Sequence, residues 1–169
     1  MIAKARVRSG PSTNAGNSGT EPKTDKPACT AAFKTLDASA KTYGAKQKED
    51  GSTDLTGPKG AKLSMELIRY DDLTAANFAR QVGDGLSACY GATATLQGTT
   101  LKFAKPDVDS AGDDFSGFAT TGTSGGATRT QRLVFARQGD TIVTLTDVAA
   151  GASKDDFSKI FAAAIASAG

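Results

Sequence analysis

Two cysteines constrain this chain more than any other feature. Cys29 and Cys89 are its whole complement and stand 60 positions apart. That spacing rules out a CxxC redox motif, and two thiols are too few for a structural zinc site. Each cysteine lies on an apolar helical stripe. Cys29 opens the series Phe33, Leu36, Ala40 and Tyr43, and Cys89 closes the series Phe78, Val82 and Leu86. In a cytosolic protein such residues would be buried thiols; in a secreted one they pair. The rest of the sequence reads as exported, so a Cys29–Cys89 disulfide is the expectation. Closing so long a loop stabilises a fold by roughly 4 kcal/mol on chain-entropy grounds.

The segment ahead of Cys29 differs in kind. Residues 9–28 are small and polar, without one large apolar side chain. Such a stretch cannot bury enough surface to offset the entropy of ordering. Residues 1–28 therefore read as a flexible tether or an expression remnant, and residues 29–169 as a single domain long enough to bury a core. Lipoproteins place segments of this kind between anchor and domain. No run is apolar enough to cross a membrane, and neither a signal-peptide core nor a lipobox cysteine is present. The expected membrane link is a lipid anchor absent from this chain.

Charge is distributed unevenly. The tail carries a net +3 and the remainder a net −1. A near-neutral domain lacks the basic face of a nucleic-acid binder. The basic tail suits anionic lipid or wall polymer, or is a solvated linker. Histidine is absent, which excludes a His-dependent triad and a His-ligated zinc site. Hydrophobic residues make up 38 % of the chain, much of it Ala, with no Trp and 19 Gly. A modest core built from many small contacts follows.

The Cys29 stripe predicts a helix ended by Gly44. Residues 45–62 are polar and rich in Gly, and read as a mobile loop. Leu63, Met65 and Leu67 alternate with Ser64 and Glu66, the pattern of a strand with one buried face. Asp71-Asp72 and Thr74 then start a second helix, with Leu73 placed to staple onto Phe78. Gly83 and Gly85 within it call for close packing. Strands are predicted over 94–103, interrupted by Gly98, over 115–123, over 129–137 and over 141–148. A turn spans 121–126 and a tight one lies at Gln138-Gly139-Asp140. Ser153 and Asp156 mark the start of a last amphipathic helix, with Phe157, Ile160, Phe161, Ala164 and Ile165 on one face. The fold class is thus α+β: helices packed on a twisted, mostly antiparallel sheet with one disulfide.

No catalytic constellation is legible. Asp71-Asp72 reads as a helix cap and Asp113-Asp114 as a turn. Asp107, Asp109, Asp113 and Asp114 lack the ligand spacing of an EF-hand loop. The Gly-rich stretch 122–126 has neither phosphate-loop fingerprint. No cofactor and no metal are expected. The binding residues singled out are Tyr70, Tyr90, Arg129 and Arg137. Tyr70 ends a strand and Tyr90 follows Cys89; they read by default as partly buried edge aromatics, and on the functional reading as aromatics lining a cleft. Arg129 and Arg137 share parity with Leu133 and Phe135, whereas Arg132 does not; an inward arginine suits an anionic ligand, and strand-end arginines otherwise snorkel to water.

Four stretches carry a resemblance. They are Cys29-Thr30-Ala31-Ala32-Phe33; Ile68-Arg69-Tyr70 with Ala75-Ala76-Asn77-Phe78; Leu86-Ser87-Ala88-Cys89; and Phe135 through Val143. Together they resemble the actinobacterial extracytoplasmic sensor-like domains of the PknH-type receptor-kinase ectodomain family, which also occur as lipoproteins. The resemblance covers roughly residues 29–168. It implies helices against a twisted antiparallel sheet, a cleft, and a ligand- or partner-binding role. The Ala, Gly, Thr and Asp bias also suits a high-GC actinomycete such as a streptomycete.

The resulting expectation is a monomeric, non-catalytic binding or sensor domain outside the cytoplasm, secreted or held at the cell surface by lipid. Its partner would be a small molecule, an envelope fragment or an envelope protein, not a nucleic acid. The alternative is a secreted protein-binding module, an inhibitor or a regulator of envelope-stress signalling. A polar-lined cleft marks the first; an exposed apolar patch marks the second.

Overall fold

The computed structural model describes residues 23–57, 60–96, 98–124, 126–149 and 152–169. The stretch 1–22, most of the expected tether, lies outside the described residues. Among the described residues three helices and seven strands follow one another: α1 (Pro27–Gly44), β1 (Glu49–Thr56), β2 (Lys62–Arg69), α2 (Asp72–Ser87), β3 (Thr93–Leu96), β4 (Thr99–Ala104), β5 (Asp114–Ser124), β6 (Ala127–Gln138), β7 (Thr141–Ala149) and α3 (Lys154–Ala168). The strands form one sheet in the order β1-β2-β7-β6-β5-β4-β3. Every pairing between neighbours is antiparallel. The α+β class and its antiparallel sheet are therefore as the sequence predicts.

Helices cover both faces of this sheet. On one side α3 packs Phe157, Phe161, Ala164 and Ile165 onto Leu63, Val134, Ala136, Val143 and Leu145. On the other, α2 packs Ala75, Ala79 and Leu86 onto Ile68, Phe135 and Ile142, with Leu36 and Tyr43 of α1 at the margin. Strand β6 thus buries both parities, as a strand covered on both faces must. The disulfide Cys29–Cys89 joins the start of α1 to the turn that follows α2, two residues past its end, with Cα atoms 4.5 Å apart. It is fully buried with Ala92, Ala94 and Phe103, and Phe33 and Phe118 pack beside it.

The helix starts are set locally. Pro27 opens α1, where its missing N–H costs nothing. Ser153 Oγ accepts from Asp156 N at 3.2 Å, capping α3 as predicted. Asp71 caps α2 by accepting from Thr74 N at 2.9 Å and from Thr74 Oγ1 at 2.7 Å. Thr74 therefore lies inside the helix, and Leu73, 72 % exposed, does not staple onto Phe78.

Three further expectations need correction. The predicted loop 45–62 contains β1, which pairs with β2 from Glu49↔Arg69 to Thr56↔Lys62. Its weak β propensity hid it; an edge strand is held by ladder hydrogen bonds and needs few apolar residues. The stretch 94–103 is a hairpin of two strands, because Gly98 adopts φ +77° and reverses the chain. The turn expected over 121–126 is narrower, since Thr121↔Thr130 through Ser124↔Ala127 are paired.

The residues just ahead of Cys29 are docked. Thr24 bridges Ala94 of β3. Asp25 N donates to Thr93 O at 2.9 Å, and Thr93 N donates to Asp25 Oδ1 at 2.7 Å. Lys26 Nζ donates to Tyr90 O at 2.7 Å. These bonds occupy part of the open edge of β3.

Candidate functional site

An open cleft of about 570 Å³ separates α2 from the start of β5. It exists because α2 presents small residues to the sheet. Ala76, Ala79 and Gly83 follow one another at helical spacing on the side that meets β5. A Cβ on Gly83 would stand 3.5 Å from Ser116 Cβ, so the helix lies close there. The next stripe of α2, Asn77, Arg80 and Asp84, forms one rim. Asp113, Asp114, Ser116 and Arg137 form the opposite wall.

That wall is internally paired. Arg137 Nε donates to Asp114 Oδ2 at 2.7 Å, and its Nη1 stands 3.2 Å from Asp113 Oδ2. Nη1 also donates to Gly139 O at 3.0 Å. Asp113 Oδ2 further accepts from Gly139 N at 3.1 Å. The bond to Asp114, together with both carboxylates, holds the guanidinium above its already high ordinary pKa. The acids expected to form a turn therefore also anchor the β6–β7 hairpin. The rim is different. Arg80 Nη2 donates to Asn77 Oδ1 at 2.9 Å. Among the described residues neither Arg80 nor Asp84 has an ion-pair partner.

Of the four binding residues chosen from sequence, Arg137 alone lines this cleft. Tyr70, 1 % exposed, sits in an aromatic cluster with Tyr43 and Phe78, ring centroids 6.5 and 5.7 Å away. Burial raises its phenol pKa. Tyr90 turns its hydroxyl to Gly117 O, donating at 2.8 Å; burial raises its pKa too. Arg129 is exposed and opposes Gly122 on the far part of β5. The structure does not bring these four side chains into one site.

The arginine that turns inward is Arg132, on the α3 side of β6. Its Nε donates to Asp107 Oδ1 at 2.7 Å, and its Nη1 reaches both Asp147 Oδ2 at 3.3 Å and Ala152 O at 3.2 Å. Hydrogen bonding to Arg132 holds the Asp107 carboxyl below the usual range. This group ties the β4–β5 connection and the start of α3 to the sheet. Val134 and Ala136 were the sequence signal: apolar residues at the parity of Arg132 meant that this face was covered as well.

No protein-family model matches this chain, and no curated protein matches it. Among solved structures it is similar to the crystal structure of the extracellular domain of PknH from Mycobacterium tuberculosis. The TM-score is 0.55 at 12 % sequence identity, over 88 % of this chain and 79 % of that one. At that identity the likeness concerns the fold, and the fold expected from the resemblance is the one found.

Proposed function

We propose that this chain is a non-catalytic extracytoplasmic binding or sensor domain that takes its ligand in the α2–β5 cleft. The observation that carries the reading is the contrast across the cleft. Arg137 is ion-paired with Asp113 and Asp114 and bonded to Gly139, whereas Arg80 and Asp84 line the same space without ionic partners among the described residues. The volume is in the range of small-ligand clefts, and the mostly polar and charged lining suits a polar ligand. The buried disulfide, of a kind that persists in oxidising compartments, supports the location, and the shared fold of a receptor-kinase extracellular domain accords with it. A lipid-anchored tether is the expected means of attachment.

The alternative of a protein-binding module has less support. The exposed large apolar residues among those described, Leu73 and Val148, lie on the first turn of α2 and near the end of β7. They do not make the contiguous patch that marks such an interface. The test is an amide-shift titration of the protein with fractionated envelope fragments and a metabolite library. Saturable shifts at Asn77, Arg80, Asp84 and Ser116 are the expected result. Saturable shifts confined to another surface would overturn the assignment of the site.

A further inference from the structure

Asp84 stands where helix electrostatics disfavour it. It lies in the last turn of α2, which ends at Ser87 and carries no basic residue there. The partial negative charge of the helix C-terminus repels a carboxylate. Arg80, one turn earlier, does not neutralise it, although residues four apart are neighbours on a helix surface. The order is the unfavourable one, cation ahead of anion, and Arg80 bonds to Asn77 instead. Two opposite charges are thus held apart on one rim of a cleft. Local rules broken without compensation mark functional positions.

Resting on the binding role proposed above, we infer that the ligand is a small zwitterion of the amino-acid or short-peptide kind. Its carboxylate meets Arg80 and its ammonium meets Asp84. The opposite wall reinforces the second contact, because Asp113 and Asp114 exceed Arg137 by one negative charge. Cβ atoms one helical turn apart are about 6 Å from one another. The Arg80 guanidinium reaches beyond its Cβ towards Asn77, away from Asp84, so the two charges stand further apart than that and favour ligands whose own charges are separated by several atoms. A glycan without charge hydrogen-bonds to either side chain but neutralises neither, and a simple anion meets a wall of the wrong sign.

The test titrates the intact chain with glycine, β-alanine, γ-aminobutyrate and ε-aminocaproate, and with butylamine and butyrate as single-charge controls, reading amide shifts. At least one zwitterion is expected to saturate Asn77, Arg80, Asp84 and Ser116 at a concentration about threefold below either control, one contact to an exposed charge being worth a factor of up to about five. Arg80→Gln and Asp84→Asn, both at exposed positions, are each expected to erase that advantage while the rest of the spectrum is unchanged. Zwitterions that bind no better than butylamine, or that leave the cleft unshifted, overturn the inference. If they fail while an uncharged envelope fragment saturates the same amides, the binding role stands and the ligand class falls. If the zwitterions shift only another surface, both fall.

Discussion

Arg132 reaches from β6 to the fully buried carboxylate of Asp147, with Nη1 3.3 Å from Oδ2. Asp147 has no exposed side-chain surface, and it also accepts from Ala152 N at 3.2 Å. Truncating one partner of such a pair leaves the other charge buried and unpaired. Arg132→Leu is expected to destabilise the fold by about 3–5 kcal/mol, measured by urea denaturation at pH 7. The double variant Arg132→Leu with Asp147→Leu is expected to recover much of that loss. A loss below about 1 kcal/mol in the single variant, the size of an exposed ion pair, would contradict the burial of the pair.

The disulfide closes the segment that contains α1, β1, β2 and α2. Cys89→Ser is expected to lower stability by about 4 kcal/mol, the chain-entropy value for a loop of this length. Parent protein melted with strong reductant should shift in the same direction. A melting temperature unmoved by both treatments would mean that the bond is absent in solution.

Gly117 looks like an ordinary strand glycine in sequence. In the fold, a Cβ there would collide with the carbonyl of Leu133 and stand 2.9 Å from Val134 Cα. The obstacle is backbone of the neighbouring strand, which cannot rotate away. Gly117→Ala is expected to cost about 1–3 kcal/mol or more by overpacking. Gly83→Ala meets only ordinary contact with Ser116, at 3.5 Å, and is expected to be tolerated. Equal melting temperatures for the two variants would refute this difference.

Glu66 lies on β2 between Ser52 of β1 and Thr144 of β7. Burial, and then nearby Asp50, raise its carboxyl above the ordinary range. A raised folded pKa favours the protonated form. Its stabilising contribution is full below the unfolded value of about 4.3 and is lost as pH rises through the folded value. Glu66→Gln is therefore expected to be more stable than the parent at pH 7. The gap should close as the pH falls towards about 4. Thermal melts across that range check the sign, and a gap that widened in acid would reverse it.

Local physics was legible along the chain. The caps Asp71 and Ser153, the reversal at Gly139 and the apolar period of α3 all depend on residues within a few positions of one another, so their spelling survives in a linear reading. The cysteine stripes likewise placed Cys29 on a helix and paired it with Cys89, and the fold joins the two, with Cys89 in the turn just past α2 and not on the helix itself. Tertiary packing decided the rest. Strand β1 has almost no apolar signature and exists because β2 offers it a ladder. Arg132 turns into the core because α3 covers the second sheet face; apolar Val134 and Ala136 at its parity signal that this face is covered, but not which element covers it. The α2–β5 cleft joins Arg80 and Asp84 to Asp113 and Arg137 across long stretches of chain. Sequence by itself determined the helices, their caps and the tight turns, because these arise from near neighbours; the tertiary structure alone decided the edge strand β1 and which distant side chains share one space, because these depend on strand pairing and on how the faces of the sheet are covered.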